Sequence, residues 1–416
     1  MKEQSKRPHI YELDPLRACT AFSVVAVHVL AFTVLLNQTE LSTQIHYAFI
    51  EAFHFTREVF LFVTAFALVY VYNGKAFPFK QFWKKRGIGV LLPYVIWSVI
   101  YVLVNTEVRT PAVLFQTSLV DILTGNASYQ LYYILLTLQF YLIFPLFLLF
   151  LRRWARHPWL VLAISFTLQL LLFYFDFHAL QGNSSHLSPF WQFVLEYQDR
   201  FVLMYQFYFV LGGLTALYFQ QIKSFLLSHG KLITGVFVAS VAALWIHFAL
   251  QVRVFGEFAG YAVSVLQPIM VIYSLAIILF ALWLACRWAT RTGQYKSPRG
   301  ARFWRMLSDS SFGVYLVHAL ILSALLTWVA PAMPTTWFVA VRVILTWLIT
   351  VAGSVAISIL LLNIPIASRL VGRTGPQKKD KAPRPVLVAV ATPLLDQAIK
   401  VTLEEKSHSQ EQQVQR

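Results

Sequence analysis

Apolar runs about as long as a bilayer is thick alternate with short polar segments along nearly the whole chain. Ten of them recur: Leu16–Leu36, Phe53–Tyr72, Ile88–Val104, Leu131–Leu151, Leu160–Phe177, Phe201–Phe219, Leu232–Leu250, Tyr261–Ala285, Phe312–Ala330 and Phe338–Leu362. A helix needs roughly 20 apolar residues to cross a hydrocarbon core of about 30 Å, and each run comes near that length. Only helices and closed barrels satisfy their backbone hydrogen bonds in lipid, and runs this long without strict alternation exclude a barrel. The pattern therefore predicts an all-α fold, a polytopic transmembrane helix bundle of about ten spans. A shorter apolar piece, Ala112–Leu123, is expected to lie along the membrane or re-enter it, and no internal repeat is visible.

Charge adds an orientation, because cytoplasmic loops retain Lys and Arg. One set of alternate loops holds Lys75, Lys80, Lys84, Lys85 and Arg86, then Arg152, Arg153 and Arg156, then Lys223 and Lys231, then the Arg287–Arg305 group. Both chain ends are basic as well, with Lys2, Lys6 and Arg7 at the start and Arg369, Arg373, Lys378, Lys379 and Lys381 near the end. The opposite loops and helix ends contribute Arg57, Arg109, Arg200 and Arg253. Both termini are thus expected in the cytoplasm. The formal charge of +16 follows from this topology and calls for no nucleic-acid partner.

Composition agrees: 58% of residues are hydrophobic and 12% charged, too few charges for a soluble domain. Cys19 and Cys286 both fall in or at the edge of spans, which gives neither a disulfide framework nor a metal pattern, so packing roles and no metal are expected. The first apolar run is too long for a cleaved leader and is expected to remain as the first helix. Residues 1–371 read as one transmembrane domain. Residues 372–416, rich in charge, Pro and Gln, read as a flexible cytoplasmic tail with a possible interfacial helix.

Against this background the first span is unusual. Asp14 followed by Pro15 has the chemistry of a helix start, an N-cap acceptor and then a ring that fixes φ. Arg17 follows in the first turn, and His28 comes eleven residues later. At about 100° per residue that is three turns plus about 20°, so both side chains share a face, roughly 16 Å apart along the axis. His28 is expected near mid-membrane, where an ionisable group is costly and faces the bundle interior or a water-filled cavity. Arg17 is either a snorkelling interfacial residue or a ligand for an anion; His28 is either an interhelical hydrogen-bond partner or a reactive group.

Four stretches together resemble the membrane-bound acyltransferase 3 family. Leu13-Asp14-x-Leu16-Arg17, followed by an apolar run to His28, is similar to that family's opening helix, which carries an arginine and, eleven residues later, a histidine held to be essential. Phe60-Leu61-Phe62-Val63-Thr64-Ala65-Phe66 resembles its FFxxSGF signature, with Thr and Ala in place of Ser and Gly. Lys84-Lys85-Arg86-Gly87-Ile88-Gly89-Val90-Leu91-Leu92-Pro93-Tyr94 resembles a basic segment leading into a third helix, although Gly89 stands where a second arginine is common. Ser311 to His318 resembles a late SxGIYLxH element. Near the fourth span, Gln139-Phe140-Tyr141 and Pro145 match the adhesin- and exopolysaccharide-modifying branch, whereas Gln130 replaces a histidine common there.

The resemblance implies an integral membrane O-acyltransferase of a bacterial plasma membrane. It would move an acyl group, acetyl foremost, from cytoplasmic acyl-coenzyme A to a hydroxyl of a cell-surface polysaccharide or lipid-linked sugar. Acyl-CoA is then a substrate, no cofactor is permanently bound, and membrane lipids are the remaining partners. His28 and Arg17 are the implied catalytic residues. Arg86, Lys85 and Lys84 are candidates for donor phosphates, a role for which the arginine fork is suited. His318, Tyr315, Glu58 and Arg57 are further candidates. His318 and Tyr315 are expected about two turns into the ninth span; Arg57 and Glu58, at the outer end of the second, form either an ion pair or a contact for a polar acceptor. A neutral imidazole at His28 can take a hydroxyl proton as general base or carry the acyl group itself. The rival class is an exporter or flippase of a polysaccharide or lipid-linked glycan. Absent repeats and mid-span carboxylates disfavour it.

Overall fold

The computed structural model describes residues 8–36, 39–107, 110–291, 298–329 and 338–373, and every regular element in them is helical. The expected cytoplasmic tail lies outside the described residues beyond Gly372 and Arg373, as do Lys2, Lys6, Arg7 and Arg109. Among the described residues nine helical stretches are long and apolar enough to cross a membrane. A tenth forms if the pair Pro189–Arg200 and Val202–Leu217, bent by 46°, counts as one span.

The chain begins with α1 (Leu13–Thr33), α2 (Glu40–Phe53) and α3 (Thr56–Tyr72). Then come α4 (Phe79–Arg86) and α5 (Leu92–Asn105), joined by a five-residue π-helical turn, Gly87–Leu91. Next are the short apolar α6 (Pro111–Thr124), α7 (Tyr132–Trp154), α8 (Pro158–Phe175), α9 (Pro189–Tyr197) and α10 (Gln206–Leu217). The described chain continues with α11 (Phe219–Ser228), α12 (Gly230–Arg253), α13 (Ala259–Ala262), α14 (Pro268–Arg291), α15 (Pro298–Ala324) and α16 (Val339–Asn363). Capping follows the sequence in places: Thr39 accepts from the Ser42 amide at the start of α2, and Thr110 from that of Val113 at the start of α6.

Three local expectations are corrected. Asp14 does not cap α1; it lies one residue inside the helix, which begins at Leu13, and its carboxylate is 2.7 Å from Nε2 of His9. The ninth span does not start near Phe312, because α15 already begins at Pro298. Apolarity marks where a helix is suited to lipid, whereas the polar first turns of α15 are helical too, and bury Ala301, Leu307 and Ser308. His318 is consequently about 30 Å from the start of its helix, not two turns in. Cys19 is exposed rather than packed, whereas Cys286 is buried.

The bundle has two chemically different ends. At the end where α1 begins, Lys223 Nζ meets Glu12 Oε1 at 2.6 Å, and Arg152 donates to the carbonyls of Tyr72 and Lys75, each at 2.8 Å. At the opposite end His46 Nε2 is 2.9 Å from the Leu30 carbonyl, and Arg253 donates to Gln44. Between them the core is aromatic, built where α3, α7 and α10 meet; Phe140 stacks on Phe209 with centroids 3.7 Å apart. Gly212 makes the approach of α10 to α3 possible, since a Cβ there would come within 2.2 Å of the Phe62 carbonyl oxygen. Gly313 does the same for α15 and α16, where Ser358 donates to the Ser310 carbonyl at 2.9 Å.

Candidate active site

Arg17 and His28, three turns apart on α1, both face interior space, as their spacing predicts. They line two different cavities. Arg17 lines one of about 360 Å³ toward the end of the bundle where α1 begins. His28 lines a smaller one of about 140 Å³ nearer the opposite end. Phe60 of α3, Tyr133 of α7 and Tyr315 of α15 belong to the walls of both. The Tyr133 ring lies 6.0 Å from that of Phe60 and 5.8 Å from that of Tyr315, so the three form an aromatic waist between the chambers. The Tyr315 hydroxyl donates to the Gln130 carbonyl, which ties the waist to the segment before α7.

The larger chamber carries the cations. Arg86, at the end of α4 and just before the π turn, joins Arg17 in its wall. Its guanidinium lies 4.8 Å from the Tyr141 ring centroid and 5.6 Å from that of Phe82, and its buried Nε makes no hydrogen bond among the described residues. Aromatic faces hold such a group in place while leaving its N–H donors free for a ligand. Asp309, Ser308, Ser311, Thr64 and Thr137 complete the polar wall, and Gly372 closes it from the far end of the described chain. Lys84 and Lys85 are exposed and do not line this chamber. Thr64, one of the two departures within the Phe60–Phe66 motif, thus lines the same space as the two arginines.

In the smaller chamber the His28 ring stacks on that of His318, with centroids 5.4 Å apart and planes at 22°, and lies 4.5 Å from the Tyr129 ring. His318 is fully buried. Its Nδ1 lies 3.2 Å from the Val314 carbonyl, which can only accept. Nδ1 therefore carries the hydrogen, and Nε2, which has no partner among the described residues, is left as an acceptor. His28 itself lies about 22 Å along α1, roughly three-quarters of the way from Leu13 to Thr33.

Arg57 reaches the same chamber from α3. It donates to the Tyr132 hydroxyl at 3.1 Å, lies 5.2 Å from the Tyr205 ring and pairs at 3.9 Å with Glu58, which is fully buried. The ion pair expected of Arg57 and Glu58 is present, and Arg57, unlike Glu58, also lines the cavity.

Several lining residues escape the sequence. His54 lies in the turn between α2 and α3, where the pattern shows only a span boundary, yet it lines the chamber of His28. Tyr129 lies in a loop and has no periodic signal; burial pushes its phenol well above the usual range, so it stays a neutral donor. Gln130 is visible only as a departure from the related pattern. Its Oε1 accepts from Ser128 at 2.6 Å, and its buried Nε2 makes no hydrogen bond with a described residue.

A polytopic helix bundle with two arginines lining one interior chamber and His28 lining the next has the architecture of an integral membrane protein. The chain belongs to the acyltransferase 3 family, whose acyltransferase domain it matches over residues 10–363. No curated protein and no solved structure matches it. Family membership makes it an acyltransferase, which sets the exporter alternative aside.

Proposed function

We propose that this multi-pass protein is an O-acyltransferase of a bacterial plasma membrane that uses cytoplasmic acyl-CoA, acetyl-CoA foremost, to acylate a hydroxyl of a cell-surface polysaccharide or lipid-linked sugar. The observation that carries the reading is the pair of chambers meeting at Phe60, Tyr133 and Tyr315, arginines on one side and His28 on the other. A thioester donor is a large polyanion on a narrow arm. Arg17 and Arg86 suit the phosphates, for which a planar fork with free donors is the best match among side chains. The arm would pass the aromatic waist and present its carbonyl near His28.

The acceptor hydroxyl would come from the other end. Its oxygen attacks the thioester carbonyl carbon while a ring nitrogen of His28 takes its proton, the carbon–sulfur bond breaks, and the proton passes to the departing thiolate. General-base help of this kind contributes typically about 10²–10⁴-fold. His318, stacked on His28 with an unpaired Nε2, positions the imidazole. Arg57 and the Nε2 of Gln130 are the described donors near the cavity that suit the oxyanion of the tetrahedral intermediate.

The test uses membranes containing the protein, supplied with acetyl-CoA and candidate glycans. Release of free CoA should rise well above the slow acceptor-free hydrolysis when a glycan acceptor is present, with acetyl found on it as an ester. Acceptor-dependent transfer to lipids or proteins but to no glycan would overturn the saccharide assignment.

A further inference from the structure

Beyond Tyr129 lies a third cavity that the mechanism above does not use. It measures about 350 Å³ and opens at the end of the bundle opposite the two arginines. That is within the range of roughly 300–1,000 Å³ typical of small-ligand sites. Its walls combine aromatic faces with small neutral polar groups: Phe32 and Tyr129 on one side, and Asn105, Ser323 and Thr327 around them. Tyr129 is 36% exposed, which leaves part of its ring open to a ligand. The Phe32 ring lies 5.1 Å from it, at 55°. The same tyrosine is 4.5 Å from His28 and 6.2 Å from His318, so it separates this cavity from the histidine pair by the thickness of one side chain.

The chemistry points to a sugar ring. A pyranose presents an apolar C–H face, which packs on an aromatic ring, and a rim of hydroxyls, which exchange hydrogen bonds with amides and other hydroxyls. None of the described residues lining the cavity is charged. A carboxylated sugar would lose hydration there without gaining a counter-ion, an uncompensated cost. Arg200 does not line the cavity; it is held by the Asn126 side-chain oxygen at 2.8 Å.

We infer that this cavity is the acceptor subsite, that it binds an uncharged sugar unit against Tyr129 and Phe32, and that Tyr129 guides the hydroxyl to be acylated toward His28. The inference rests on the saccharide reading proposed above. It adds where the sugar is held and which sugars are refused.

The test uses the purified full-length protein in lipid nanodiscs, comparing wild type with Ser323→Leu and Thr327→Leu, which fill the cavity, and with Ser323→Ala. Two rates are measured: hydrolysis of acetyl-CoA without acceptor, and transfer to methyl glycosides of neutral hexoses or of the matching uronic acids. The Leu variants should raise KM for neutral glycosides by roughly tenfold or more while donor hydrolysis stays within about twofold, because the change removes space only on the acceptor side. Wild type should favour neutral glycosides over uronates by roughly tenfold or more. Unchanged acceptor KM in both Leu variants, or equal use of uronates, would overturn the subsite and leave the proposed function standing. Donor hydrolysis by wild type with no transfer to any glycoside would overturn both. Should the Leu variants fold poorly, alkylation of Ser323→Cys, located by mass spectrometry, should slow by roughly fivefold with saturating methyl glucoside. An unaltered rate would dismiss the subsite.

Discussion

The imidazole of His318 lies parallel to that of His28 to within 22°, with 5.4 Å between ring centroids, although the two residues come from opposite ends of the sequence. Their helices, α1 and α15, share an apolar cluster in which Val25 and Val29 of the first join Val314 and Leu322 of the second. Because the Val314 carbonyl fixes the His318 tautomer, the pair has a defined arrangement: a positioned ring with a free acceptor nitrogen beside the ring that lines the cavity. His318→Phe keeps the aromatic face and removes that nitrogen. It should lower kcat by roughly tenfold, with donor and acceptor KM little changed, as expected of a group acting through its neighbour. Wild-type kcat in His318→Phe, read by release of free CoA, would reduce the pair to packing.

Arg17 and Arg86 line one chamber but have different surroundings, and this makes their variants informative. Arg86 is held between Tyr141 and Phe82 at 4.8 and 5.6 Å. Arg86→Lys keeps the charge but loses the planar fork and the stacking. KM for acetyl-CoA should rise by roughly tenfold while detergent stability changes little. Lys84→Ala and Lys85→Ala should alter it by less than about twofold, since both side chains are exposed and away from the chamber wall. Wild-type donor KM in both Arg17→Ala and Arg86→Lys would remove the phosphate site from this chamber.

Much of this is legible in the chain because a bilayer imposes one length and one polarity on every span. That constraint gives the helical class, the approximate number of crossings and the shared face of Arg17 and His28. It does not give helix starts, since Pro298 to Asp309 is helical without being apolar, and so the level of His318 is misjudged. Nor does it give His54, Tyr129 or Asp309, which reach their cavities from a turn, a loop and a polar helical turn, where no periodicity operates. Lys84 and Lys85 share Arg86's charge, and only the rotation of about 100° per residue along α4 separates the residue that lines the chamber from those that do not.

The pair Arg57 and Glu58 permits a stability measurement independent of catalysis. Glu58 is fully buried, and Arg57 at 3.9 Å is its one charge partner among the described residues. Removing one partner of a buried pair typically costs about 3–5 kcal/mol, because the other charge is left uncompensated. Arg57→Leu should therefore lower the detergent melting temperature clearly, and adding Glu58→Gln should restore most of the loss. A double variant no more stable than Arg57→Leu alone would show that the pair is not the source of the effect.

Sidedness is a separate prediction. Arg17 and Gly372 line one chamber, so the start of α1 and the end of the described chain share one end of the bundle, and Lys and Arg concentrate in the loops expected there. Reporter fusions after Lys80, Arg156 and Arg299 should report cytoplasm, and fusions near Asn126 and Ser185 the outside. An outside signal at Arg299 would invert the assignment of donor and acceptor ends.

His28 decides whether the smaller chamber is a reaction site. It lies between the aromatic waist and Tyr129, stacked on His318, where a donor passing Arg17 and an acceptor passing Tyr129 would meet. As a structural residue it would contribute one interhelical hydrogen bond, and such bonds in membranes average only about 0.6 kcal/mol. Gln keeps a donor and an acceptor at similar reach but cannot exchange a proton near neutral pH. His28→Gln should therefore leave expression, detergent stability and donor KM near wild type while lowering acyl transfer by roughly 10²-fold or more. His28→Ala should be no worse than Gln in rate, since both remove the same chemistry. Acyl transfer by the Gln variant within a few fold of wild type would take the catalytic role away from His28 and return the stacked histidines to the packing of α1 against α15.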